Sequence, residues 1–194
     1  MYRRPAIPSL EFRDESGAVI PYGRRWGMDS PPETTYSVTA HPERFAPLHD
    51  VARALMAELG VQPREGGAVF GPHGPATSLQ FTPPNSDAAP LVIALTDFPG
   101  VRLWAGAHYS AAFPSCGCDA CDDDVEECAS ALEQTVLAVL GGRLSESVSG
   151  GWLTHSIEFE NGSSSGGGRI AEALPPVTGA DGHPLRPRPW AAWA

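Results

Sequence analysis

Leu91-Val92-Ile93-Ala94-Leu95-Thr96-Asp97-Phe98-Pro99-Gly100-Val101-Arg102-Leu103-Trp104-Ala105 is the stretch on which the fold turns. Two β-rich runs, Leu91 to Phe98 and Val101 to Tyr109, flank Pro99-Gly100, and this pattern predicts a hairpin. A turn closed on Pro99-Gly100 sets Asp97 opposite Arg102 as an opposite-charge cross-strand pair. In that register Val92, Ala94, Phe98, Val101, Leu103 and Ala105 share one face. Leu91, Ile93, Leu95, Trp104 and His108 share the other. Both faces are apolar, so the two strands are expected at the centre of their sheet, covered on both sides.

Moving outward, Ser78-Leu79-Gln80-Phe81-Thr82 alternates as a half-buried strand, and Pro83-Pro84-Asn85-Ser86 breaks the chain after it. Residues 61 to 76 read as a Gly/Pro loop around Ala68-Val69-Phe70 that carries His73. Before it, Phe45, Leu48, Val51, Ala52, Leu55, Met56 and Leu59 repeat at helical spacing over residues 46 to 59, with Pro47 in the first turn and Gly60 at the end. His41 and His49 flank that start as surface or capping groups. A second amphipathic helix is expected from Asp122, its cap, to Leu140, burying Val125, Cys128, Ala129, Leu132, Val136, Val139 and Leu140. Arg143 to Val148 and Trp152 to Phe159 make a further hairpin around Gly150-Gly151. The expected architecture is α+β: one layered domain over residues 39–160, with an antiparallel sheet of about five strands and both helices on one face. Residues 1–38 read as an extended Pro/Arg/aromatic arm, and residues 161–194 as a flexible Ser/Gly linker followed by a Pro/Arg/Trp tail.

The 194 residues carry a net charge of -10, and every one of the 13 basic residues is arginine. Without lysine there is no P-loop phosphate grip and no lysine nucleophile or Schiff base. From Leu103 to Gly142 run seven acids and no Lys or Arg. That field disfavours nucleic acid and anionic membrane and favours cations or basic partners. No apolar run is long enough to span a bilayer, and Arg3-Arg4 is followed by no apolar region of an export signal, so the expected setting is cytoplasmic. The cation–aromatic run Pro21-Tyr22-Gly23-Arg24-Arg25-Trp26-Gly27 reads best as an arm folded over its own acidic domain.

Cys116-Gly117-Cys118-Asp119-Ala120-Cys121 carries the chemistry. Three thiols within six residues converge readily on one soft metal ion, and zinc is the leading candidate. A fourth ligand is not announced beside them. His108, at the end of the strand feeding the cluster, is the first candidate. His155, Asp119, Asp122 and a water remain open. Cys128 lies about 9 Å along the helix axis from a start at Asp122 and falls in the apolar stripe, which suits a core residue better. A closed four-ligand site would be a structural staple; a water in the fourth position would leave the opening a zinc hydrolase needs. The rival reading is a Cys118/Cys121 dithiol at a helix N-terminus. The surrounding Asp119, Asp122, Asp123, Asp124, Glu126 and Glu127 count against a reactive thiolate.

Three blocks, Thr39-Ala40-His41-Pro42-Glu43-Arg44-Phe45, Thr96-Asp97-Phe98-Pro99-Gly100-Val101-Arg102-Leu103 and Cys116-Gly117-Cys118-Asp119-Ala120-Cys121-Asp122, resemble those of an uncharacterised family of small bacterial proteins filed as a domain of unknown function. The resemblance spans residues 20 to 160 or thereabouts. It supports the domain limits and implies no activity. Without an accompanying acid–base set, the expectation is a zinc-stapled module that binds a protein partner. The alternative is an enzyme, either a zinc hydrolase or a thiol oxidoreductase.

Overall fold

A computed structural model describes residues 2–69, 76–169, 177–179 and 183–194. Its elements run α1 (Pro47–Glu58), β1 (Arg64–Val69), β2 (Ala76–Phe81), β3 (Leu91–Leu95), β4 (Val101–Ala105), β5 (Tyr109–Phe113), α2 (Val125–Leu140), β6 (Leu144–Ser149), β7 (Trp152–Phe159) and β8 (Gly162–Arg169). The first five strands form an antiparallel sheet in sequence order, and the last three form a second antiparallel sheet. The fold is α+β, as the sequence leads one to expect. Among the described residues no helix is long and apolar enough to cross a membrane.

The central hairpin exists, but its register differs from the sequence reading. Leu95 pairs with Val101 and Ala94 with Arg102, so Thr96 to Gly100 form a five-residue loop and Asp97 has no strand partner. Pro99-Gly100 does not close the turn by itself. Thr96 instead receives the loop: its N–H donates to the Gly100 carbonyl at 3.1 Å, and its hydroxyl donates to Phe98 O. The slip from the expected pairing is an odd number of residues, and an odd slip exchanges the two faces of one strand relative to the other. Leu91, Ile93, Val101, Leu103 and Ala105 therefore share the face that packs on the helices, with Leu48, Val51, Leu55, Leu132 and Val136 opposite. Val92, Ala94 and Trp104 share the other face, where Val177 and Leu185 of the C-terminal segment cover them.

Three further expectations fail for definable reasons. Residues 64–69, read as loop, are β1. Gly66 hides the alternation, and a Cβ there would stand 2.2 Å from Ser78 Oγ. The run from Val101 to Tyr109 is not one strand. Gly106, at φ +60, turns the chain back into β5, in the left-handed region that glycine occupies without a Cβ penalty. Gly162–Arg169, read as flexible linker, is β8, paired along all of β7; its glycines and serines make no apolar pattern to read. His73 lies outside the described residues.

The tail is anchored in the core. Trp190 and Trp193 are buried, and the indole of Trp193 donates to Ala89 O at 2.8 Å. Trp190 Nε1 donates to Glu146 Oε2 at 2.7 Å. Glu146 is 1% exposed and also accepts the backbone N–H groups of Ala107, His108 and Tyr109 at 2.7–2.8 Å. One buried carboxylate thus ties the β4–β5 turn, β6 and the C-terminus together, with its lone pairs filled. The N-terminal arm lies on α2, where Arg4 Nε donates to Glu133 at 2.8 Å.

Candidate metal centre

β5 delivers the chain at Phe113 to an eleven-residue loop, 114–124, that ends at the cap of α2. The loop cannot be built without Gly117. Its φ is +83, and a Cβ there would lie 2.7 Å from Phe98 Cζ and 3.1 Å from Pro114 Cγ. Gly117 O accepts from Thr39 Oγ1 at 3.0 Å and from Arg44 Nη2 at 3.2 Å, and its N–H donates to Asp123 Oδ2 at 3.0 Å. The backbone N–H groups of Asp119 and Ala120 donate to Val38 O and Thr35 O at 2.7 and 3.1 Å. The loop is therefore clamped to the arm along residues 35–40 as well as to itself.

In this clamp Cys116, Cys118 and Cys121 converge, their sulfurs all within 4.8 Å of one another and the Cys118–Cys121 pair at 3.5 Å. A tetrahedral zinc with bonds near 2.3 Å asks for sulfur separations of about 3.8 Å, so little movement would seat an ion. Cys118 is buried, while Cys116 and Cys121 face solvent. Among the described residues no histidine, carboxylate or further cysteine joins the group.

His108, the first-choice fourth ligand, stands elsewhere. It sits in the β4–β5 turn, its N–H on Glu146, with the five-residue strand β5 between it and the loop, a span of roughly 16 Å. The error follows from reading one long strand where Gly106 makes two. His155 is at the same distant end, its ring edge-on to Tyr109 at 5.3 Å. Cys128 packs in the core stripe of α2. His49 bonds Gly100 O through Nε2 at 3.0 Å, and His41 bonds Glu43 and Arg13 O.

The acids beside the cysteines are already engaged. Asp119, 5% exposed, accepts the Ala40 N–H at 3.2 Å and lies 3.6 Å from Arg25 Nη1 and 3.8 Å from Arg44 Nη1. Arg44, itself buried, is sandwiched between the rings of Tyr22 at 4.1 Å and Phe45 at 4.2 Å. Arg25 lies over Trp26 at 4.6 Å, and the Trp26 indole donates to Asp119 O at 3.2 Å. Asp122 Oδ2 accepts the Arg25 N–H at 2.7 Å. Asp124, not Asp122, caps α2, accepting from the N–H groups of Glu126 and Glu127 at 2.8 and 3.1 Å. Arg25 and Arg44 thus offset part of the acidic charge of Asp119, Asp122 and Asp123 at the base of the loop. The arm does fold over its own acidic domain, through Arg25 and Trp26. Arg44 is the residue that sequence reading missed, because its partners Gly117 and Asp119 lie more than seventy positions away and no local spacing marks them.

The thiols differ accordingly. Burial pushes the Cys118 thiol up, but the backbone N–H groups of Cys121 and Ser37 and the thiols of Cys116 and Cys121 outweigh it, and its pKa falls to about 7. Cys121 is pushed up to about 12 by burial and by its hydrogen bonds to Cys116 and Cys118. Cys118 is thus the first of the pair to ionise. Cys128 is pushed up to about 12 by burial and the nearby acids Asp123, Asp124 and Glu127, as befits an inert core thiol.

A family model described as "Family of unknown function (DUF6226)" matches residues 8–194, a span that takes in the arm and the tryptophan tail as well as the central domain. No curated protein and no solved structure matches the chain.

Proposed function

We propose, from the premise that the chain belongs to this family of unknown function, that it is a zinc-binding protein whose ion is held by Cys116, Cys118 and Cys121 with the fourth position open. The observation that carries the reading is the convergence of three sulfurs in a loop that already has its shape from protein hydrogen bonds. Three thiolates and a divalent cation sum to one negative charge, and Arg25 and Arg44 offset part of the acidic charge of Asp119, Asp122 and Asp123 around it. Soft sulfur donors favour zinc or copper(I) over calcium or magnesium. A cytoplasmic, reducing setting would keep the thiols available.

The staple of the sequence reading gains less support than an exchangeable site. The loop is pinned without a metal, and His108 stands far away. Trp190 and Trp193 of the tail are core, so the tail offers no surface for partner binding and the acidic surface is left as its argument. Hydrolase chemistry also needs a base near the ion, and Asp119, Asp122 and Asp123 each already accept a backbone N–H.

A second reading, a redox dithiol, is favoured by the 3.5 Å separation of Cys118 and Cys121 and by the neutralisation of Asp119. Titration of the reduced protein with zinc against a chromophoric chelator separates the two. One ion per chain, lost in Cys116→Ser, Cys118→Ser and Cys121→Ser alike, is the expected result. No uptake in the wild type, or uptake indifferent to Cys116, sinks the zinc centre.

A further inference from the structure

The sheet of β6, β7 and β8 turns one face to the core and the other to solvent. Leu144 and Ile157 on the inner face are buried with Leu132 and Val136 of α2, and the His155 ring on that face stands edge-on to Tyr109. Side chains alternate along a strand, so Trp152, Thr154 and Ser156 of β7 project outward, and all three are exposed. The pairing carries this exposed set across the sheet. Ser145, Ser156 and Ser165 stand in one row, and Ser147, Thr154 and Gly167 in the next. The hydroxyls of Ser147 and Thr154 bond to each other at 2.8 Å. Trp152 heads the third row and is 50% exposed. Its indole leans over β8, with Nε1 3.1 Å from the point where a Cβ on Gly167 would stand.

These residues line an open hollow of about 410 Å³ that contains no Asp, Glu, Lys or Arg. In a chain of net charge -10, an exposed sheet face is where charged side chains ordinarily gather. Here they stand only at the borders, Glu158 opposite Ser163 and Arg169 opposite Trp152. A matching ligand is therefore uncharged, since a phosphate or a charged peptide would give up water and meet no counter-charge. It also has to present hydroxyls, because each serine and threonine both donates and accepts. It needs in addition a flat apolar patch for the indole. A pyranose ring has both, with C–H groups on its face and hydroxyls around its edge. From Trp152 to Ser156 the strip runs about 14 Å along the strand, which suits a short chain of such rings better than a single one.

We propose that the outer face of β6–β8 binds a neutral oligosaccharide, one ring stacked on Trp152 and its neighbours hydrogen-bonded to the serine and threonine rows. The site uses no metal and is independent of the zinc reading above.

The test is a nuclear magnetic resonance titration of the isotopically labelled full chain with maltohexaose, cellohexaose and N-acetylchitohexaose. Trp152→Ala identifies the Trp152 indole signal by its disappearance. The expected result is saturable movement of that signal with at least one of the probes, unchanged when salt is raised because no ion pair forms. Trp152→Ala should weaken the binding about tenfold, read from the backbone signals of β7, for loss of the stacked ring. Ser147→Glu, which keeps the ring and adds a charge to the strip, should weaken it as well. Both side chains are exposed, so both variants should melt as the wild type does. No saturation with any probe below about 10 mM overturns the proposal. Binding that moves a different indole and survives both substitutions overturns it too. A dimer in sedimentation that Trp152→Ala splits would overturn it in favour of a second copy of the chain on this face.

Discussion

Arg44 shows how a single side chain sets the character of the cysteine loop. It holds Gly117 O and faces Asp119, and its guanidinium is buried between two aromatic rings. Replacing it by leucine leaves Asp119 with Arg25 alone in a dry site. Arg44→Leu should lose about 3 kcal/mol of stability in a urea titration, at the lower end for a broken buried pair. Cys118 offers a test in pH. A thiol with a pKa near 7 is largely thiolate above that value and largely protonated below it. In metal-free reduced protein, alkylation mapped by mass spectrometry should rise at Cys118 through about pH 7 while Cys121 stays slow. Zinc affinity should weaken on the acid side of the same range, because protons compete for the ligand. A Cys118 profile centred near its ordinary value would refute the assignment.

Among the elements, the hairpin of β3 and β4 and the helix pair follow from local pattern. The helices come within a residue or three of their expected ends because apolar spacing and proline and glycine punctuation are local signals. The register of the hairpin does not, since Thr96 rather than Pro99-Gly100 closes the loop. The short β5 was invisible for a related reason. Its first residue, Tyr109, reads as the end of the preceding strand until Gly106 turns the chain. The same turn carries His108 to the end of β5 remote from the cysteine cluster. Glu146 secures that turn and the C-terminal segment together through Trp190. Trp190→Ala should cost about 3–5 kcal/mol, from lost packing and from a carboxylate oxygen deprived of a donor, and thermal denaturation would register it. A change below about 1 kcal/mol would mean the tail is not part of the core.

At the level of the whole molecule, the first sheet is covered on one face by both helices and on the other by Val177 and Leu185, while the arm closes over the cysteine loop. A chain packed in this way should not need a metal ion to fold. Chelation is expected to leave the near-ultraviolet dichroism native, and added zinc should raise the melting temperature only by the linkage its affinity provides. An unfolded apo-protein would restore the structural staple. By itself, the sequence determined the fold class, both helices, the central strands and the cluster of three cysteines, because each is written in neighbours a few positions apart. The tertiary structure alone decided the strand register, the burial of the tail, the Arg25–Asp119–Arg44 group and the separation of His108 from the cysteine cluster. All of these depend on residues brought together from distant parts of the chain, where the energy lies in burial and in paired charge rather than in local conformational preference.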